Sequence, residues 1–154
     1  PDVHYLIVAP PPAARELVER ERIPRVHFHP GSGLPRDMWS FYGAMDVLAH
    51  FRRDGESFGL NIAQAMLAGR PILSHRSVVW NAHLEYLTDE FSRVAPVDDV
   101  AAYARNMAWI IGEWRAGTLS QYGDKARQVG EELVSITKHI DRFEGYICEA
   151  LSTN

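Results

Sequence analysis

Residues 55–71, GESFGLNIAQAMLAGRP, hold one carboxylate (Glu56), two carboxamides (Asn61, Gln64) and a glycine (Gly59) at spacings that suit an anionic, hydroxyl-rich ligand. No charged residue occurs from Ser57 through Gly69, so the helix predicted from about Phe58 to Ala68 is expected to be buried on most sides. Asn61 and Gln64 are three residues apart, hence on one face, and buried carboxamides call for a polar neighbour. The first turn leaves the amides of Phe58, Gly59 and Leu60 unpaired with the positive end of the helix dipole behind them, which favours an anion. Gly59 has no side chain to hold a phosphate away from the backbone, and Glu56 can accept hydrogen bonds from hydroxyls. A phosphate joined to a sugar matches both features.

The flanking sequence supplies elements to position these groups. Apolar His4–Ala9 (HYLIVA) reads as a buried strand ended by three prolines, and Pro12 suits the first position of a helix running to about Arg22. A strand over Arg25–His29, a helix from Pro35, a strand over Asp46–His50 and a polar loop lead to the 58–68 helix. Pro71–His75 reads as the next strand, Asn81–Leu87 as a short helix and Ser92–Ala95 as a last strand. Strands alternating with helices at short spacing predict an α/β fold, a Rossmann-like parallel sheet with helices on both faces. Val100, Tyr103, Ala104, Met107, Ile111 and Trp114 then recur at helical spacing behind an Asp98 or Asp99 cap, and two further helical stretches follow around Ala126 and around Ile140, Phe143 and Ile147. The expected organisation is an α/β core over 1–97 closed by C-terminal helices over 98–154. Trp39, Phe41 and Tyr42 are expected in the core.

The run DVLAHFRRDGESFGLNIAQAMLAGRPILS, residues 46–74, resembles the donor-site segment of retaining GT-B glycosyltransferases, group 1, that carry two glutamates eight positions apart. In those enzymes the segment is a strand, a loop, Glu, Phe-Gly, a second Glu, Ala-Met, Gly-x-Pro and a strand. The resemblance implies that this chain is the C-terminal, nucleotide-sugar-binding half of such an enzyme, inactive alone. It implies that Glu56 contacts the transferred sugar, that Phe58, Gly59, Leu60 and Asn61 line the diphosphate, and that Gln64 meets the ribose where the family usually has glutamate. Looser similarity extends over WNAHLE, which brings Asn81 to the same crevice. The family's glycine-arginine strand and following lysine would lie upstream of Pro1. The implied sheet order is 3-2-1-4-5-6, with His4–Ala9 as strand 2, so the acceptor-binding domain and the first strand are expected in sequence not present here.

Composition excludes several other classes. With 16 basic and 20 acidic residues the formal charge is −4, which offers no footprint for nucleic acid, and contact with a membrane is expected only through absent parts. Cys148 is the only cysteine, which fits a reducing, cytoplasmic setting. His29, His50 and His75 each end a predicted strand on the carboxyl edge, but only His50 and His75 are expected as neighbours, too few for a metal. No metal or cofactor is therefore expected, and His50 is expected as a donor contact. Nucleotide-sugar binding without catalysis, sugar-nucleotide epimerisation and a receiver-like signalling module are the alternatives. The last lacks the clustered acidic residues it would need. For the ribose position, Gln64→Glu should leave binding of a nucleotide sugar unchanged or stronger, since a carboxylate bonds hydroxyls more strongly than an amide does. Calorimetric loss of all nucleotide binding by a folded Gln64→Glu protein would remove Gln64 from that position.

Overall fold

Proline starts both of the first two helices. The structure is a computed structural model and describes residues 3–152. Its elements are β1 (Tyr5–Val8), α1 (Pro12–Arg20), β2 (Val26–His29), α2 (Pro35–Ala44), β3 (Leu48–Ala49), β4 (Gly55–Glu56), α3 (Leu60–Leu67), β5 (Ile72–His75), β6 (Trp80–Asn81), a single 3-10 turn (Ala82–Glu85), β7 (Ser92–Ala95), α4 (Val100–Ala116), α5 (Leu119–Leu133) and α6 (Ile136–Ser152). Pro12 and Pro35 sit at the helix starts, where the missing N–H costs nothing and φ is already near its helical value. All strand pairs are parallel, in the orders β1-β2, β3-β5-β7 and β4-β6, and helices cover both faces. The chain divides into two compact units, Pro1–Met45 and Asp46–Asn154.

In the first unit, β1 pairs with β2 from Tyr5–Val26 to Val8–His29. His4–Ala9 is less buried than its composition predicts: Tyr5 and Leu6 are exposed. Two strands alone offer too little surface to bury both faces. Of the expected aromatic core group in α2, only Tyr42 is buried; Trp39 is exposed and meets Tyr42 edge-on, with ring centroids 6.2 Å apart.

The second unit centres on β5, buried at every residue from Ile72 to His75 between β3 and β7. Burial at every position is what a covered parallel strand requires, but only Ile72 and Leu73 are apolar, and the buried Ser74 and His75 are hydrogen-bonded. Ile62, Ala63, Ala65 and Met66 of α3 join Ile72, Leu73 and Phe91 in its core. Of the two expected cap candidates it is Asp99 that caps α4, accepting the Ala102 N–H at 2.7 Å. The buried side of α4 is Ala102 and Ile110, whereas Val100 and Trp114 at its ends are exposed. α4 packs on β5, β7 and α5. On α6 the expected stripe is present but uncovered among the described residues: Ile140, Phe143 and Ile147 are all exposed. The Asn81–Leu87 helix is also corrected, because Trp80–Asn81 pairs in the parallel ladder with Gly55–Glu56 and only a 3-10 turn remains.

α3 and α5 approach closely because α5 has glycine where they meet. A Cβ on Gly123 would collide with the backbone carbonyl oxygen of Gly69, and one on Gly130 would lie 3.0 Å from the Met66 Cβ. Carbonyl oxygen cannot rotate aside as a side chain does. Gly123→Ala should therefore destabilise by about 1–3 kcal/mol, the usual cost of overpacking, whatever alanine gains in helix propensity. Gly112→Ala, in α4 with nothing within 4 Å, should stabilise by about 0.5–1 kcal/mol. Urea midpoints for the two variants should move in opposite directions; equal shifts would refute the packing account.

Candidate functional site

Two backbone devices shape the site. Gly55 holds φ at 83°, and a Cβ there would collide with the Trp80 carbonyl oxygen, so only glycine lets β4 lie against β6. Their register sets Glu56 opposite Asn81. Gly59 holds φ at 87°, in the left-handed region, and serves as the N-cap of α3. The helix thus starts at Leu60, two residues later than expected, and Phe58 precedes it. Ile62 and Ala63 both donate to the Gly59 carbonyl at 3.0 Å, while the amides of Leu60 and Asn61 have no acceptor among the described residues. The unpaired amides of the first turn are for that reason those of Leu60 and Asn61.

The polar edge of α3 does not face the interior. Asn61 is exposed, with its Oδ1 accepting the Ile62 N–H at 2.9 Å, and Gln64 is half-buried. The buried residues Ile62, Ala63, Ala65 and Met66 lie on the opposite side, so the uncharged run from Ser57 to Gly69 combines one sealed face with an open polar edge, less burial than its composition implies. Phe58 and Leu60 are exposed beside it. The Tyr86 hydroxyl donates to the Phe58 carbonyl and ties the turn before α3 to the segment after β6. Burial, and secondarily the Glu56 charge, pushes the Tyr86 phenol well above its ordinary range, so it remains a donor.

Glu56 is only 13% exposed in its side chain. Its Oε1 is 3.1 Å from His50 Nε2 and 3.7 Å from Arg52 Nη1, and Arg52 is itself clamped by Asp54 at 2.9 Å. Oε2 has no hydrogen bond or ion pair among the described residues. His50, expected to touch a ligand, is 4% exposed, with Nδ1 3.2 Å from Ser74 Oγ and Nε2 on Glu56. One step beyond the Ala49–Leu73 pair, β3 and β5 bring His50 and Ser74 side by side. Asn81 closes the loop before it: its Oδ1 accepts the Ser77 N–H at 2.8 Å and its Nδ2 donates to the Ser77 carbonyl at 2.9 Å.

Three histidines cluster here, and their partners fix where each ring proton sits. His50 Nε2 faces a carboxylate, which only accepts, so Nε2 donates and Nδ1 accepts from the Ser74 hydroxyl. His75 Nδ1 donates to the Arg76 carbonyl at 2.6 Å, and its Nε2 accepts the Arg52 N–H at 3.1 Å. His83 Nε2 donates to the His75 carbonyl at 3.2 Å, and its buried Nδ1 is without a partner. Each proton is pinned by a backbone or carboxylate acceptor. Among the described residues no group of three or more side chains could hold a metal ion. Ser74, Tyr86 and His83 were not singled out from sequence; the first could have been, because predicted neighbouring strands end at His50 and His75.

Burial lowers the pKa of both His50 and His83, against the opposing pull of Glu56 on each. An unfolded histidine takes up a proton near pH 6.5, whereas these take it up only at lower pH. Below about pH 6.5 the unfolded chain therefore binds more protons, and stability falls as pH falls towards the folded-state pKa values. His83→Gln keeps a donor near the His75 carbonyl but cannot titrate, so its stability should fall less steeply between about pH 7 and 5. Chemical denaturation at stepped pH checks this; parallel curves for the two proteins would contradict it.

Comparison with known proteins agrees with this architecture. A family model described as glycosyl transferases group 1 matches residues 1–113. No curated protein matches the chain. Among solved structures, Anabaena HepE in complex with UDP superposes with TM-score 0.72 at 19% identity, covering 100% of this chain and 42% of that one. HepE in complex with UDP-glucose gives 0.71 at 18%, again over 100% and 42%. Sucrose-phosphate synthase from Thermosynechococcus elongatus gives 0.72 at 18%, covering 97% of this chain and 39% of that one. The chain thus spans about two fifths of the length of these structural relatives. No described helix is long and apolar enough to cross a membrane.

Proposed function

The chain belongs to the group 1 glycosyl transferases, and from that membership we propose that it binds the nucleoside diphosphate sugar donor of a retaining glycosyl transfer. The observation that carries this reading is the pairing of an unspent carboxylate oxygen with unspent helix amides. Glu56 Oε2 and the N–H groups of Leu60 and Asn61 are available four and five residues apart, one suited to sugar hydroxyls and the others to a diphosphate. Both lie at the carboxyl end of a parallel sheet, where α/β folds take their ligands. The missing side chain of Gly59 makes room for the Tyr86 hydroxyl and Ile62, Asn81 shapes the neighbouring loop through Ser77, Gln64 lies along the polar edge of α3, and Phe58 and Leu60 give apolar cover. The HepE complexes contain UDP and UDP-glucose, which makes uridine the first base to test.

As the sugar leaves, negative charge grows on the diphosphate and positive charge on the ring. The fixed amides at the start of α3 stabilise the first, and the Glu56 carboxylate stabilises and orients the second without attacking it. No step needs a metal or cofactor. The acceptor is held by other parts of the protein, which also supply any membrane contact.

Titration of the full-length protein with UDP-, GDP- and ADP-glucose should give binding to one of the three, and a protein that binds none would refute the reading. Glu56→Ala should retain its fold and lower turnover by at least about tenfold, the scale on which positioning contacts act. Unchanged kinetics would remove Glu56 from the reaction.

A further inference from the structure

We propose that His50 is a positioning residue: it holds Glu56 Oε1 so that Oε2 is presented to the donor sugar. This rests on the reading of Glu56 as the sugar contact. A carboxylate on a two-residue strand has free rotation about its side-chain bonds unless something fixes it, and a hydroxyl contact is productive in only one orientation. The imidazole is itself immobile. It is 4% exposed, and its Nε2 reaches Oε1 at 3.1 Å, while Ser74, 0% exposed, lies at 3.2 Å from Nδ1.

Ser74 Oγ has no other partner among the described residues, so its buried hydroxyl donates to Nδ1 and places the ring proton on Nε2, facing Glu56. The relay runs from Ser74 to His50 to Glu56, one donor at each step. The other groups around the ring do not compete for Oε1 from the buried side. His75 and His83 direct their protons to the Arg76 and His75 carbonyls. The Tyr103 hydroxyl on α4 approaches the His50 carbonyl at 3.3 Å, and Tyr86 donates to Phe58. Arg52 reaches the same Oε1 from the exposed side at 3.7 Å. Burial holds the His50 pKa below its ordinary value, so at neutral pH the ring orients the carboxylate without neutralising it.

UDP and UDP-glucose differ by the sugar alone, so calorimetric titration of the full-length protein with both isolates the sugar contact. Wild type should bind UDP-glucose more tightly than UDP. His50→Leu, which keeps the bulk and removes the donor, should bind UDP unchanged and lose most of that margin, roughly tenfold. In His50→Gln the terminal amide can replace Nε2–H as a donor to Oε1, and at least half of the margin, on a logarithmic scale, should return. A packing role would treat leucine and glutamine alike. Equal margins in His50→Leu and wild type, or equal losses in both variants, would overturn the proposal. If Glu56→Ala keeps the full margin, or wild type has none, the reading of Glu56 fails instead.

Discussion

Everything at the site depends on α3 being sealed along one face and open at its first turn and polar edge. Ile62, Ala63, Ala65 and Met66 are sealed against β5 and α5, and the Gly123 and Gly130 contacts let α5 come in at backbone distance. With the rest of the helix so held, its free N–H groups at Leu60 and Asn61 are fixed dipoles. Fixed dipoles are what electrostatic stabilisation of a leaving diphosphate requires, since they need no reorganisation when the charge appears. The same packing accounts for the sealed face of the uncharged segment from Ser57 to Gly69, which was the most informative feature of the sequence.

The second organising element is the short parallel pair of β4 and β6. Each strand has two residues, and the pair exists because Gly55 admits the Trp80 carbonyl where any side chain would collide. It places Glu56 between a buried histidine on one side and an exposed arginine on the other. The two ring nitrogens of His50, the Ser74 hydroxyl and one carboxylate oxygen are all satisfied internally. One oxygen is left over. A polar network in which all but one acceptor is used is directional in a way that an exposed glutamate is not.

How much of this was legible in the sequence depends on the range of the interaction responsible. The proline starts of α1 and α2 and the strand at Ile72–His75 rest on neighbours within a few residues and are legible in the sequence, as is the cap of α4 to within Asp98 or Asp99. Glu56 and Gly59 were singled out by local chemistry and by the family pattern, but the space beside Gly59 is taken by Tyr86 and Ile62, which come from outside the local sequence or from the next helical turn. The left-handed φ of Gly59, which moves the helix start to Leu60, gives no periodic signal. The β4–β6 pair was missed because two-residue strands have no alternation to detect, and its cause, the Gly55–Trp80 approach, spans distant sequence. His50 was expected at a ligand because it ends a strand; nothing local shows that Ser74 and Glu56 occupy both of its nitrogens. The apolar stripe on α6 was correctly periodic, yet periodicity does not say what the stripe meets.

The β4–β6 ladder also has a bearing on how the protein folds. Between its two strands the chain passes through α3 and β5, so Glu56 and Asn81 can meet only after that helix has docked and that strand has joined the sheet. Closing such a loop has an entropic cost, and two residue pairs return little of it. The ladder is therefore set to form late, once the crossover beneath it is in place, and to open before the core does. Exchange of the Trp80 amide, which donates across to the Asp54 carbonyl, would then be governed by sub-global openings rather than by complete unfolding. The start of α3 is held by core packing, whereas Glu56 sits on a two-residue ladder and relies on its contact with His50 to stay in place.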